Sequence, residues 1–466
     1  MSAPLRRGAC PGLSAPMLTG DGLLVRFVLA DAMPPDAFIA LCAAARAHGN
    51  GIVEVTARGS LQVRGLTHAS APLFACEVAA LGIEANEGVA VLASPLRDDA
   101  EAIIDASSLA AELRQAIAQA GLALAPKVSV VVDSGGRLNL DALSADIRLR
   151  AIGSPVAPRL QIALGALPPP PEEVGGSEAT LLPLPLAGEG WGGGARRLRG
   201  ACGEAVDPIA NSPAQGEAGN PAWLGVLAPE RAVDVVLRLL KEIAAHGPAA
   251  RAADVLRARG IEALRSAFDV EPAAAPAPRP PAEMVGRHPL RDGSLALGLA
   301  LAFGHAQADA LAELGRLAVA HGARSIRPAP DRALMLIGVP PANASSLAAA
   351  AEQLGFVVGA ADPRRRIAAC SGAPACASGF VDARRIAAAL APHLTGLRSG
   401  IAVHVSGCAK GCAHTAPAAL TVVGDAQGCG IVRNGTARAT PRCHIAPAGL
   451  AAEVARIFVQ SEAAHG

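Results

Sequence analysis

Two segments of the chain share one pattern of apolar and polar positions. The first begins at Asp21 with an apolar run, continues through an alanine-rich stretch and then alternates over 53–65. The second begins at Asp292 and alternates over 325–338 after a similar stretch. The apolar positions with helical spacing are Phe38, Leu41, Cys42 and Ala45 in the first copy and Leu311, Leu314, Leu317 and Val319 in the second. Helical spacing predicts a helix and alternation predicts a strand, so each copy is predicted to be strand, helix, strand.

Each predicted helix ends at a His-Gly pair, His48-Gly49 in the first copy and His321-Gly322 in the second. Glycine just after the last periodic residue is a common helix stop. Two copies exclude a solenoid, which needs three or more repeats. We therefore predict two half-domains packed around a pseudo-twofold axis.

The segment between the copies has a mixed pattern. A helix is predicted over 101–120, a strand over 128–133, a turn at 133–136, and a further strand or helix start at Leu138. Residues 168–221 are rich in proline and glycine, and we expect a disordered surface insertion that includes Cys202. Helical patterning resumes at 229–243, and the proline-rich stretch 272–281 is predicted to be a linker.

These boundaries predict an α+β chain in six parts. They are a first half-domain repeat (1–70), an α+β domain (71–167), the insertion (168–222), a helical segment with its linker (223–285), a second half-domain repeat (286–345) and a cysteine-rich domain (346–466).

Composition excludes several classes of protein. The 466 residues include 41 Lys and Arg and 40 Asp and Glu, so the net charge of +1 gives no basic surface for nucleic acid. The longest apolar run, 295–303, is far below the roughly 20 residues of a membrane span. No apolar segment follows the two N-terminal arginines as in a signal peptide, and we expect a cytoplasmic protein.

The ten cysteines concentrate toward the C-terminus. Four form a C-x5-C pair and a C-x3-C pair on small-residue loops, namely Cys370, Cys376, Cys408 and Cys412. Thiolates at this spacing favour a [4Fe–4S] cluster, because Gly, Ala and Pro let the backbone approach it closely. A structural zinc is the alternative. Cys429 and Cys443 are either competing ligands or buried structural thiols.

Four polar residues of the first alternating run fall on positions of one parity: Thr56, Arg58, Gln62 and Arg64. In a single strand these side chains would share one face. Such a face suits a site that grips carboxylates, and a solvent-exposed strand would show the same pattern.

The paired repeats and the cysteine pattern, preceded by the string HVSG at 404–407, resemble the sirohaem-dependent nitrite and sulfite reductase superfamily. That resemblance implies two ferredoxin-like half-domain repeats with pseudo-twofold symmetry, together with mixed α/β cluster-binding domains. Within the superfamily, four strings look most like the precorrin-3B synthase family: RGACPG at 7–12, TGDGLL at 19–24, KVSVVVD at 127–133 and SGCAKGCAH at 406–414.

The resemblance assigns roles to individual residues. The reductases hold their tetrapyrrole with a T-x-R-x-x-x-Q segment, which Thr56, Arg58 and Gln62 match. The corresponding positions of the second repeat are Ala329, Asp331 and Met335, so one active site is expected and the second copy is scaffold.

Departures from the reductases argue against reduction of a small oxyanion. The reductases carry an Arg-Asn-Val segment where 89–95 has no arginine, and two lysines where this chain has Lys127 and Ser129. An asparagine between their last two cysteines is replaced by Lys410, which is either a substrate contact or a solvated lysine. Arg58, Arg64 and Lys127 are expected to bind carboxylates of a free macrocycle.

The resemblance implies that precorrin-3A and O2 are the substrates of a monooxygenase that hydroxylates C20 and closes a γ-lactone with the ring A acetate. NADH would be the ultimate electron donor through a separate reductase, since the glycines at 190–194 follow no predicted strand and are no dinucleotide fingerprint. A mononuclear non-haem iron is the candidate oxygen-activating centre, with His404, His414 and His444 as candidate ligands. The alternatives are a sirohaem-dependent nitrite or sulfite reductase and a non-catalytic iron–sulfur electron carrier or sensor.

Overall fold

The computed structural model describes residues 11–83, 85–86, 88–165, 221–394, 402–414 and 416–463. Its helices are α1 (Pro35–His48), α2 (Ser70–Ala80), α3 (Ala106–Ala120), α4 (Ala232–Ala245), α5 (Ala252–Arg259), α6 (Ile261–Phe268), α7 (Ala308–Ala320), α8 (Ala344–Gln353), α9 (Ala383–Leu390) and α10 (Leu450–Ala463). Its strands are β1 (Met17–Thr19), β2 (Gly22–Leu29), β3 (Ile52–Val55), β4 (Leu61–Leu66), β5 (Ala85–Asn86), β6 (Ala90–Ala93), β7 (Ser129–Asp133), β8 (Ile147–Ser154), β9 (Ala157–Leu164), β10 (Ala222–Leu227), β11 (Gly286–Pro289), β12 (Leu295–Ala300), β13 (His305–Gln307), β14 (Ser325–Ala329), β15 (Ala333–Val339), β16 (Ile367–Ala369), β17 (Val403–Ser406), β18 (Ala418–Asp425), β19 (Gly428–Gly435) and β20 (Cys443–Ile445).

The strands of the described residues form four sheets. Their strand orders are β1-β2-β4-β3-β13 with β5 beside β2, β10-β9-β8-β7-β6, β11-β12-β15-β14 and β16-β17-β18-β19-β20. Parallel and antiparallel pairs occur together in the second and fourth sheets. The predicted α+β class is confirmed.

The two repeats have the same internal topology. In each, one strand leads into a helix and then into a hairpin, and the strand orders β2-β4-β3 and β12-β15-β14 correspond. Their helices α1 and α7 pack against each other, and a Cβ at Gly315 would lie 2.6 Å from Cγ1 of Ile39. Both repeats share one hydrophobic core.

The structure corrects the sequence prediction that each alternating run is one strand. In the first copy, β3 and β4 are antiparallel and are joined by a turn over residues 56–60. Gly59 has a φ of +79°, and Thr56 Oγ1 accepts hydrogen bonds from the backbone N–H groups of Arg58 and Ser60. The turn signal lay in the Gly-Ser pair, which the apolar alternation obscured.

Other predicted elements differ in their limits. The helix predicted over 101–120 begins at Ala106, because Asp105 caps it by accepting from the backbone N–H groups of Ser107 and Ser108. No strand or helix begins at Leu138, whose segment is a loop that precedes β8. The predicted insertion falls almost entirely outside the described residues, as do Cys202 and the glycines at 190–194.

The 272–281 segment contains no helix or strand, but it is tied to the second sheet. Arg279 Nη2 donates to Asp133 Oδ2 at 2.5 Å and to Asp141 Oδ1 at 2.8 Å. Asn139 Nδ2 donates to the Pro280 carbonyl at 3.0 Å. The stretch predicted as a linker is therefore a strap anchored at the carboxyl end of β7.

No helix in the described part of the chain is long and apolar enough to cross a membrane. The division into six parts stays a proposal.

Candidate functional site

The two cysteine pairs lie at one edge of the fourth sheet. Strands β16 and β17 are parallel, and Cys370 and Cys408 follow their carboxyl ends. Because the carboxyl ends of parallel strands meet at the same edge of a sheet, the two cysteine loops converge there.

Contacts among the loops bring the sulfur atoms together. The backbone N–H of Gly407 donates to Cys370 Sγ at 3.1 Å. Burial raises the pKa of Cys412 above its usual value, and the nearby sulfur atoms of Cys370, Cys408 and Cys376 raise it further. A Cβ at Gly407 would lie 2.9 Å from Gly372 Cα, so the loops approach as closely as glycine allows.

The donor chemistry of the two cysteine loops is that of an iron–sulfur cluster, which is bound by cysteine thiolates. No group of three or more His, Cys, Asp or Glu side chains in the described ranges could hold one metal ion. In a cluster each thiolate binds a separate iron, so the four sulfurs need to surround a larger body. Four cysteine sulfurs, one of them accepting a hydrogen bond from the backbone, are a donor set that fits such a cluster.

The other two C-terminal cysteines belong to the strands of the fourth sheet. Cys429 of β19 is fully buried in that sheet's hydrophobic core, and burial raises the pKa of its thiol. Cys443 lies on β20, where it pairs in register with Ile431. For Cys429 the structure favours the buried structural thiol.

A row of four polar residues crosses the first sheet beside the cysteine loops. Arg26, Gln62, Glu54 and His305 lie opposite one another on β2, β4, β3 and β13. Gln62 Oε1 accepts from Arg26 Nε and Nη2 at 2.8 and 2.6 Å, while Gln62 Nε2 donates to Glu54 Oε2 at 2.6 Å. Because one partner only donates and the other only accepts, the amide of Gln62 has one orientation.

Arg384 of α9 connects this row of polar residues to the part of the chain that carries the cysteine loops. Arg384 pairs with Glu54 Oε1, and both side chains are largely buried. Burial and the charge of Arg384 lower the pKa of His305 to about 4. The histidine is therefore neutral at physiological pH.

The four predicted residues of the first alternating run do not share one face. Thr56 and Arg58 belong to the turn, and only Gln62 and Arg64 lie on β4. Arg58 reaches the second sheet, where its Nη1 donates to the Ser144 carbonyl at 2.7 Å and its Nη2 to Ser129 Oγ at 3.3 Å. The expectation that the four side chains share one face of a single strand is wrong, because Thr56 and Arg58 lie in the turn that precedes β4.

Arg64 is buried, with 5% of its surface exposed. Its Nε and Nη2 donate to the two carboxylate oxygens of Asp21 at 3.0 and 2.8 Å, and Nη2 also donates to the Ala375 carbonyl at 2.7 Å. In this structure the Arg64 guanidinium therefore forms its hydrogen bonds with groups of the protein, one of which is the carbonyl of the residue directly before Cys376.

The two predicted lysines are exposed. Lys127 lies in the turn before β7, and its carbonyl accepts from Arg251. Lys410 lies between Cys408 and Cys412, and its Nζ donates to Ser378 Oγ at 2.7 Å, so it bridges the two cysteine loops.

The positions of the second repeat that correspond to Thr56, Arg58 and Gln62 do not form a polar site. Ala329 and Met335 are fully buried in an apolar cluster that includes Leu96 and Leu138. Asp331 turns outward at a φ of +59° and pairs with Arg365 at 2.8 Å. This face of the second repeat is packed core.

Of the three candidate iron ligands, two lie together. The rings of His404 and His414 are edge to face with centroids 5.8 Å apart, and burial lowers the pKa of His404 to about 4. His444 is paired with Asp425 at 2.6 Å. In the described part of the chain these histidines belong to no group of three His, Cys, Asp or Glu side chains that could hold a metal ion, and the mononuclear iron stays a prediction.

A cavity of about 640 Å³ borders the cysteine loop at 371–375. His305, Phe303, Asp21 and Arg384 are among its other walls. Its volume lies within the range of ligand-binding cavities, so one side of this loop is accessible.

Sequence reasoning missed Asp21, Arg26, Glu54 and Arg384. Arg26 and Glu54 interrupt otherwise apolar strands, which is a signal of a functional or paired position. Asp21 lies in the TGDGLL string at 19–24, but nothing local marks its pairing with Arg64, and no comparable signal marks Arg384, whose partner Glu54 lies 330 residues away in the chain.

A curated relative matches nearly the whole chain. The chain is 37% identical over 463 residues to a protein named precorrin-3B synthase from Sinorhizobium sp, covering 98% of this chain and 89% of the relative. It is 31% identical over 150 residues to a ferredoxin-type sulfite reductase of Mycobacterium tuberculosis strain H37Rv, covering 30% of this chain and 27% of the relative. No family model matches the chain.

A solved structure shares the fold. The structure of the Mycobacterium tuberculosis NirA protein superposes with a TM-score of 0.66 at 18% identity and covers 94% of this chain and 80% of that one. The predicted nitrite/sulfite reductase-like architecture is confirmed.

Proposed function

This chain belongs to the precorrin-3B synthase family, and from that premise we propose that it hydroxylates precorrin-3A at C20 and closes a γ-lactone with the ring A acetate. One oxygen atom comes from O2, and NADH supplies electrons through a separate reductase. The observation that carries the proposal is the contact between the two cysteine loops, where the Gly407 N–H donates to Cys370 Sγ, in a chain related along nearly its whole length to a protein named precorrin-3B synthase.

The four converging thiols fit a [4Fe–4S] cluster. Cys370, Cys376, Cys408 and Cys412 would hold it, with the N–H of Gly407 directed at one of the sulfurs. When bound, the cluster supplies single electrons. The protein itself fixes the positions of the two cysteine loops, and it places the cluster site between the first repeat and the fourth sheet.

The macrocycle's carboxylates would be bound by the cations that border the second sheet and the cysteine loops. Arg58 at the hairpin turn, Lys127 before β7 and Lys410 between the cysteines are the proposed contacts. Guanidinium and ammonium groups make charge-assisted hydrogen bonds to carboxylates. Thr56 fixes the turn that carries Arg58.

Gln62 and Arg64 would support the proposed macrocycle site without contacting the macrocycle. Both are buried and hydrogen-bonded to protein groups, so they hold the sheet face and the cysteine loop in place. The cytoplasmic location stays a prediction from the sequence.

The contacts of Ser129 favour this reaction over reduction of a small oxyanion. Ser129 stands where the reductases carry a lysine, and its Oγ accepts a hydrogen bond from Arg58. Ser94 lies in the segment without arginine, and its hydroxyl accepts from the backbone N–H of Ser134. The cation at the position of Ser129 is therefore Arg58, which is proposed above to bind a carboxylate of the macrocycle.

The test is turnover of precorrin-3A by anaerobically purified protein with an electron-transfer reductase, NADH and ¹⁸O₂. The proposal predicts a brown cluster spectrum, matching iron and sulfide contents, and a product that carries one labelled oxygen atom. Haem bands with sulfite or nitrite turnover would support a reductase instead. A cluster without tetrapyrrole binding near micromolar concentration would indicate an electron carrier.

A further inference from the structure

The turn between β1 and β2 is packed against the cysteine loop that follows β16, at Cys376. This turn carries the string TGDG at 19–22. A Cβ at Gly20 would lie 2.4 Å from the backbone nitrogen of Ala377 and 2.8 Å from the carbonyl carbon of Cys376. Only glycine allows this approach, so the first repeat touches the cysteine loop at backbone level.

The same turn holds Arg64. Asp21 accepts hydrogen bonds from Nε and Nη2 of Arg64, and Asp21 also accepts from Thr19 Oγ1 at 2.8 Å and from Asn50 Nδ2 at 2.9 Å. The remaining donation from Arg64 goes to the Ala375 carbonyl, next to Cys376. Three polar groups of the first repeat thus position one guanidinium at the cysteine loop.

The charge of Arg64 is held in a poorly hydrated place. The side chains of Arg64 and Asp21 are 6% and 15% exposed. Burial opposes the charged form, but Asp21, Glu54 and the Cys376 sulfur together raise the pKa of Arg64 above its ordinary value. Coulomb interactions are stronger and less screened at a buried site than at the surface.

We propose that Arg64, oriented by Asp21, is a positioning residue that fixes the loop at Cys376 and places a buried positive charge beside that sulfur, raising the reduction potential of the cluster. This inference rests on the proposed function, because it requires the four cysteines to hold a [4Fe–4S] cluster. Adding an electron makes the cluster more negative, and a nearby buried cation stabilises that state. Asp21 has the opposite effect through its own charge.

The test is an EPR-monitored redox titration of the reconstituted holoprotein and four variants. Arg64→Met should lower the ratio of reduced to oxidised cluster at a fixed potential by about tenfold, which is about 59 mV for a one-electron couple. Asp21→Asn should raise that ratio. Opposite shifts from two partners of one ion pair report charge, because loop damage alone would not reverse its sign.

The matched controls are Arg46→Met and Asp309→Asn. These residues form an ion pair of similar length, 2.9 Å, whose side chains are 67% and 72% exposed. Neither control should shift the potential. If the Arg64 and Asp21 variants match these controls, the inference is overturned; if Arg64→Met does not retain a cluster, the sign of the Asp21→Asn shift decides.

Iron and sulfide content and the reduction potential distinguish failure of the cluster assignment from failure of the proposed role of Arg64. Wild-type protein without stoichiometric iron and sulfide would refute the cluster, and both ideas with it. Wild-type protein with a cluster whose potential is insensitive to Arg64 and Asp21 would refute this inference alone.

Discussion

Replacing Arg279 by alanine should loosen the strap at 272–281 at the carboxyl end of β7, although the hydrogen bond from Asn139 to the Pro280 carbonyl remains. Arg279 is 18% exposed and contacts two carboxylates, of which Asp133 is fully buried. The Arg279 guanidinium also lowers the pKa of Asp141, although burial works in the opposite direction. The variant leaves both carboxylates without their closest cation.

The expected cost follows from what remains around Asp133. Removing one partner of a buried ion pair costs about 3–5 kcal/mol. Asp133 keeps hydrogen bonds from the backbone N–H groups of Gly135 and Leu140, and Arg148 stays 3.8 Å from Asp141. We therefore expect the lower end of the range, about 3 kcal/mol. This corresponds to a roughly 150-fold larger equilibrium constant for local opening.

Hydrogen exchange of the peptide that spans 129–141 measures this opening directly. The matched control is Arg137→Ala, which breaks an exposed pair with Glu101 in the same region, with side chains 48% and 55% exposed. Exposed pairs contribute little, so its exchange should stay near that of the wild type. Equal protection of β7 in the two variants would refute the reasoning.

Three further predictions concern the site. Arg58→Ala should weaken precorrin-3A binding about tenfold or more in a titration with unchanged iron content, because one charge-assisted hydrogen bond is lost; unchanged affinity would remove Arg58 from the site. Cys376→Ala should lose iron and sulfide by analysis whereas Cys429→Ala retains both, and equal loss would contradict the assignment of the ligands. The pKa of His305, lowered to about 4 by burial and Arg384, is below the ordinary value of 6.5, so the unfolded chain binds the proton more readily. Stability should therefore fall as the pH falls from 6.5 toward 4, and His305→Gln should lessen this loss in thermal unfolding at about pH 7 and about pH 5.

The sequence by itself determined the features that depend on neighbouring residues. Helix periodicity and the His-Gly stops located α1 and α7, because both signals act within a few turns of one helix. The C-x5-C and C-x3-C spacings singled out the four cysteines that the fourth sheet brings together. Alternation could not reveal the turn at Gly59, since residues on both sides continue the same apolar pattern.

Only the tertiary structure decided which partner each charged side chain meets. Arg64 carries a spacing suited to substrate contact, yet it donates to Asp21 and to Ala375, which lies 311 residues further along the chain. Glu54 meets Arg384 across 330 residues. Such pairs depend on how the first and fourth sheets approach each other, and packing between distant segments, rather than local preference, fixes that approach.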